Sequence, residues 1–81
     1  MKLFIKEGCP WCEEAEAWLS DNNFEYERID VLSDHIAFAE MKRISGQTKA
    51  PTLQLDDGQV LADFDVDELE DFFRHQGLIE T

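Results

Sequence analysis

A proline set between two cysteines constrains this chain more than any other feature. In Cys9-Pro10-Trp11-Cys12 the pyrrolidine ring presets φ and removes a backbone donor. That suits the first turn of a helix, where the donor would have no partner anyway. The residues ahead of it read as a buried strand: Leu3-Phe4-Ile5 is a short apolar run between Lys2 and Lys6, and Gly8 ends it. The motif therefore stands where a strand passes into a helix. That helix is expected to run to about Ser20, with Cys12, Ala15 and Leu19 on one face and Glu13, Glu14 and Glu16 available to solvent.

The rest of the chain continues the alternation. Asp21-Asn22-Asn23 is a turn cluster. From Phe24 to Asp30 the pattern has period two, with Phe24, Tyr26 and Arg28 set against Glu25, Glu27 and Ile29, which predicts a second strand. Ser33 or Asp34 caps a second helix carrying Ala37, Met41 and Ile44 at helical spacing, and Gly46 stops it. After Pro51, Thr52-Leu53-Gln54-Leu55 alternates, Asp57-Gly58 marks a tight turn and Gln59-Val60-Leu61 returns as the second arm of a hairpin. Asp65 caps a last helix built on Val66, Leu69, Phe72 and Phe73 and ending near Gly77. The predicted order is β-α-β-α-β-β-α. Strands separated by helices imply parallel pairing, and the Asp-Gly hairpin adds an antiparallel pair. The expectation is an α/β fold, thioredoxin-like in its order of elements, with a mixed four-stranded sheet flanked by three helices. With no repeat, low-complexity segment or linker in view, residues 1–81 are read as one domain.

Charge narrows the partners. Nineteen acidic residues face seven basic ones, for a net charge of −12. Nucleic acid and anionic membranes are poor partners for such a surface, because both are bound by neutralising phosphate with Lys and Arg. The acidic surface reads either as a soluble, self-repelling exterior or as a face that docks on a basic partner. No export signal or membrane-spanning run is visible, so the cytoplasm is the expected location, and with nothing that suggests an interface a monomer is expected.

Two cysteines two positions apart admit three chemistries. A zinc site needs a second ligand pair, and the only candidates, His35 and His75, are forty residues apart with no local motif. A structural disulfide here would close a tiny loop, constrain the unfolded chain little and be reduced in the cytosol. Redox catalysis fits the local architecture. Cys9 lies just ahead of the helix, where free N–H groups and the positive end of the helix dipole favour a thiolate. Cys12 lies one turn on, close enough to form a disulfide and turned toward the core. Cys9 would attack and Cys12 would resolve; no metal is expected.

The segment Lys6-Glu7-Gly8-Cys9-Pro10-Trp11-Cys12 resembles the active-site segment of the glutaredoxins, which usually carry Tyr where this chain has Trp11. The resemblance extends over nearly the whole chain, through its length, its order of elements and Ser45-Gly46-Gln47-Thr48-Lys49-Ala50-Pro51 ahead of the third strand. It implies a glutathione-dependent oxidoreductase acting on protein disulfides or glutathionylated thiols, with glutathione as cosubstrate. It further implies a cis Pro51 beside the sulfurs and backbone pairing of Ala50 with the cysteinyl part of glutathione. Lys6 would meet a glutathione carboxylate, with Gln47 in the same groove. Trp11 would pack on the substrate, Asp65 would reach the glutamyl amine, and Lys49 is a further candidate cation. One departure stands out. Many glutaredoxins have Gly-Gly after the fourth strand, and here the chain reads Leu61-Ala62-Asp63-Phe64-Asp65, which adds side chains and negative charge where a ligand backbone would approach. A second is Glu13-Glu14 directly after Cys12, whose charges oppose a thiolate at Cys9. Two other readings within the resemblance are a donor to ribonucleotide reductase fed by thioredoxin reductase, and an iron–sulfur cluster carrier.

Overall fold

A computed structural model of the chain describes residues 1–80; Thr81, the last residue of the domain read from the sequence, lies outside the described residues. The elements follow the expected order: β1 (Lys2–Ile5), α1 (Pro10–Asp21), β2 (Glu27–Asp30), α2 (His35–Ser45), β3 (Thr52–Gln54), β4 (Val60–Ala62) and α3 (Val66–His75). In the sheet they lie in the order β2-β1-β3-β4. β1 pairs parallel with β2, in register Leu3 with Arg28, which the crossover through α1 makes possible. β1 pairs antiparallel with β3, Leu3 opposite Leu53, and β3 with β4, Leu53 opposite Leu61.

Period two along β1 divides the core between the two faces. Leu3 and Ile5 point to one side and pack with Leu53, with Cys12, Ala15 and Leu19 of α1, and with Leu69 and Phe73 of α3. Phe4 points to the other side and packs with Val31 and with Ala37 and Met41 of α2. Helices therefore cover both faces of the mixed sheet, two on one and one on the other. Trp18, Phe24 and Phe73 lock α1 to α3 through edge-on contacts, with ring centroids 4.7 Å apart for Phe24 and Phe73 and 5.2 Å for Trp18 and Phe73.

The helix ends follow their caps. Asp34 accepts from the N–H groups of Ile36 and Ala37 at 3.0 and 3.2 Å and starts α2. Gly46, with φ of 70°, ends it, its N–H donating to the Lys42 carbonyl. Asp65 and Glu68 form a reciprocal capping box at the start of α3.

Two expectations are corrected. The second strand is Glu27–Asp30 rather than 24–30. Its one neighbour, β1, begins at Lys2, and the Glu27 N–H already donates to the Met1 carbonyl, so residues 24–26 have no partner strand. They complete the α1–β2 connection instead, with the Phe24 N–H on the Leu19 carbonyl and the rings of Phe24 and Tyr26 against the core. Glu16 does not simply face solvent: it accepts from the Tyr26 hydroxyl at 3.1 Å and from Arg28 Nε at 2.8 Å. Among the described residues no helix is long and apolar enough to cross a membrane.

Candidate active site

Gly8 takes φ of 85° between β1 and the motif, a left-handed turn that side-chain-bearing residues resist. Behind it the Cys9 N–H donates to the Lys6 carbonyl at 3.1 Å, and Cys9 becomes the N-cap of α1 with Pro10 as the first helical residue. The cap is made by sulfur: the Cys12 N–H points at Cys9 Sγ from 3.4 Å. Both cysteines are free thiols. Cys9 is half-buried and Cys12 is 2% exposed.

Burial pushes the Cys12 thiol up from the ordinary 9.0 to about 12. Its hydrogen bond with Cys9 adds to this, as do the negative charges of Cys9 and Glu16, while a hydrogen bond with the Lys6 backbone works against them. Cys12 is therefore a protonated thiol at neutral pH.

Cys9 opens into a cavity of about 480 Å³. One wall is Lys6 with Trp11 of α1; a second is Lys49, Ala50 and Pro51; a third is Asp63, Phe64, Asp65 and Glu68. Seven of the residues singled out from the sequence thus meet here: Lys6, Cys9, Trp11, Lys49, Ala50, Pro51 and Asp65. Cys12 lies beneath Cys9 in the core. The Ala50–Pro51 peptide is cis, and Trp11 is 57% exposed.

Gln47 is not among the lining residues. Its amide nitrogen donates to Ser45 Oγ, the Lys49 carbonyl and Thr52 Oγ1 at 2.9–3.1 Å, and its oxygen accepts from the Lys49 N–H. It braces the segment ahead of β3. The two lysines are also engaged. Lys6 donates to the Thr48 carbonyl at 2.8 Å and lies 5.5 Å over the Phe38 ring. Lys49 Nζ stands 3.8 Å from Asp63 Oδ2.

Phe64 and Glu68 were not foreseen as part of the cavity. Glu68 was legible as the partner of Asp65 in an Asp-x-x-Glu capping pattern, which sets it on the first turn of α3. Phe64, 2% exposed, left no signal beyond being an apolar residue between two aspartates.

The model of the family described as Glutaredoxin matches residues 1–61. The chain belongs to the glutaredoxin family. The match covers the first two walls of the cavity and ends before the third, so Asp63, Phe64, Asp65 and Glu68 lie beyond the segment that this glutaredoxin-family chain shares with the model. Among solved structures it resembles the thioredoxin-like protein BC3987 and a point mutant of it, each with a TM-score of 0.78 and 28% identity; the likeness covers 86% of this chain and 94% and 93% of those. The curated relatives include the global transcriptional regulator Spx of Staphylococcus aureus strain N315, Staphylococcus saprophyticus and Staphylococcus haemolyticus. Each is 32% identical over 50 residues, 62% of this chain. The matched segment makes up 38% of those relatives' length. Family and fold together suggest thiol redox chemistry.

Proposed function

We propose that this chain is a dithiol–disulfide oxidoreductase in which Cys9 is the nucleophile and Cys12 the resolving thiol. The observation that carries the reading is the geometry of the pair: Cys9 lines the cavity and its Sγ accepts the Cys12 N–H, while the Cys12 thiol sits protonated in the core below. Cys9 attacks one sulfur of a substrate disulfide along its S–S axis. The bond to the other sulfur breaks, and that sulfur leaves as a thiolate and takes up a proton.

The order of events follows from what holds the Cys12 proton. In the dithiol, burial above all and then the hydrogen bond with Cys9 favour protonation of Cys12. A mixed disulfide at Cys9 carries no charge, which removes one of the smaller effects and leaves burial, the largest, in place. Cys12 then gives up its proton to the departing substrate sulfur and bonds to Cys9. The products are a reduced substrate and a Cys9–Cys12 disulfide.

Glutathione is the proposed cosubstrate, and protein disulfides and glutathionylated thiols the proposed targets. Support comes from family membership and from the placing of Lys6, Trp11, Ala50 and Pro51 around Cys9. A second reading, reduction by a thioredoxin reductase, is favoured by a specific observation: both cavity lysines are already engaged and Asp63 stands beside one of them. Turnover of a glutathionylated peptide with glutathione, glutathione reductase and NADPH separates the two. Glutathione dependence requires wild type and Cys12→Ser to turn over and Cys9→Ser to be inactive. An inactive wild type that is reduced by thioredoxin reductase supports the second reading.

A further inference from the structure

The third wall of the cavity carries three carboxylates within six residues, Asp63, Asp65 and Glu68. They line the same cavity as Cys9. At the head of a helix, free N–H groups ordinarily make an anion site. Here the capping box takes up two donors and sets a carboxylate on each: Asp65 Oδ1 accepts the Glu68 N–H at 2.8 Å, and Glu68 Oε1 accepts the Asp65 N–H. The head of α3 thus brings two carboxylates, Asp65 and Glu68, to the cavity.

Asp63 reinforces this. It takes φ of 53°, a left-handed conformation in which Asp is among the better tolerated side-chain-bearing residues. Its N–H donates to the carbonyl of Pro51, which lines the same cavity as Cys9. One carboxylate is matched by Lys49, and Lys6 stands apart on Thr48 and Phe38. Asp65 and Glu68 have no cationic partner among the described residues' ion pairs. A ligand reaching this wall gains most by bringing a positive charge.

We propose that the acidic wall selects the substrate: the site takes polypeptide disulfides that carry a lysine or arginine within one or two residues of the cysteine attacked. This rests on the disulfide exchange at Cys9 set out above. The flanking cation lies against Asp63, Asp65 and Glu68 while Cys9 bonds to the substrate sulfur. Two electrons pass from the Cys9–Cys12 dithiol to the substrate disulfide. The first substrate sulfur to leave is protonated from solvent, and the second takes the proton of Cys12.

The test uses pre-reduced protein and two peptide disulfides identical except for Lys or Glu beside each cysteine, with peptide thiol followed over time. At low ionic strength the Lys peptide is expected to react about tenfold faster or more, and the ratio to shrink toward unity in about 0.5 M salt. The double variant Asp63→Asn, Glu68→Gln should bring the ratio close to unity at low salt. Asn also tolerates the left-handed backbone, and Gln keeps the capping box. The same charge change at the exposed far end of α1 and in the connection after it, Asp21→Asn with Glu25→Gln, should leave the preference in place. Equal rates for both peptides overturn the selection while leaving the exchange standing. So does an equal loss of preference in the distal variant, which would assign it to the overall charge. Reduction of neither peptide overturns the exchange itself.

Discussion

Cys12 shows what a buried site does to a thiol. Its folded value of about 12 lies above the ordinary 9.0, so the folded state favours the protonated form. The resulting stabilisation is fully present below about pH 9 and is lost as pH rises through the folded value. The reduced protein should therefore lose stability from about pH 9 upward, and Cys12→Ser should lose less over the same range. Urea midpoints of the two proteins across that window check this; parallel curves would remove the link to Cys12. Gln47 is the other residue whose role the structure redefines. The resemblance drew it toward the glutathione groove, whereas its amide ties Ser45, Lys49 and Thr52 together. Gln47→Ala leaves the buried Thr52 hydroxyl with one partner fewer and should lower stability by about 1–2 kcal/mol in denaturant titrations.

Among the elements, β2 is held at the sheet edge by one neighbouring strand and by Glu16 of α1, which bridges Tyr26 and Arg28. The Tyr26 phenol is raised above its ordinary value by burial and, next, by its hydrogen bond to Glu16. Glu16→Ala should therefore lower the Tyr26 value, and as the chain has a single tyrosine an alkaline absorbance titration reads it directly. An unchanged titration would mean that burial alone sets it. Most of the elements were legible in the sequence because their ends are chemical: Pro10 opens α1, Asp34 and Asp65 cap α2 and α3, and Gly46 and Gly58 allow the left-handed turns that follow α2 and join β3 to β4. The length of β2 was not legible. The alternation over 24–30 reports which side chains face the core, and Phe24 and Tyr26 do face it, but a ladder also needs a partner strand. The cavity was legible in part for the same reason. Its first two walls lie within the cysteine motif and the segment ending at Pro51, whereas the third depends on how the chain turns through Asp63 after β4.

At the scale of the whole molecule, a net charge of −12 acts against compactness, because like charges crowd on folding. Raising salt from about 10 to about 200 mM should raise the melting temperature by several degrees; no change would mean that the ion pairs already offset the repulsion. The core that resists this repulsion on one face centres on Phe73, which is fully buried and in contact with Trp18 and Phe24. Phe73→Ala should cost about 3–5 kcal/mol, enough to leave a domain of this size largely unfolded at 37 °C, and circular dichroism would register it. The two thiols also differ in a way a chemist can use. One is half-exposed at the mouth of a cavity, and the other is buried and holds its proton to about pH 12. At neutral pH an alkylating fluorophore would couple to Cys9 and spare Cys12, so the native sequence would accept a single reporter dye beside the exposed indole of Trp11, with no engineered cysteine and no mixture of products to separate.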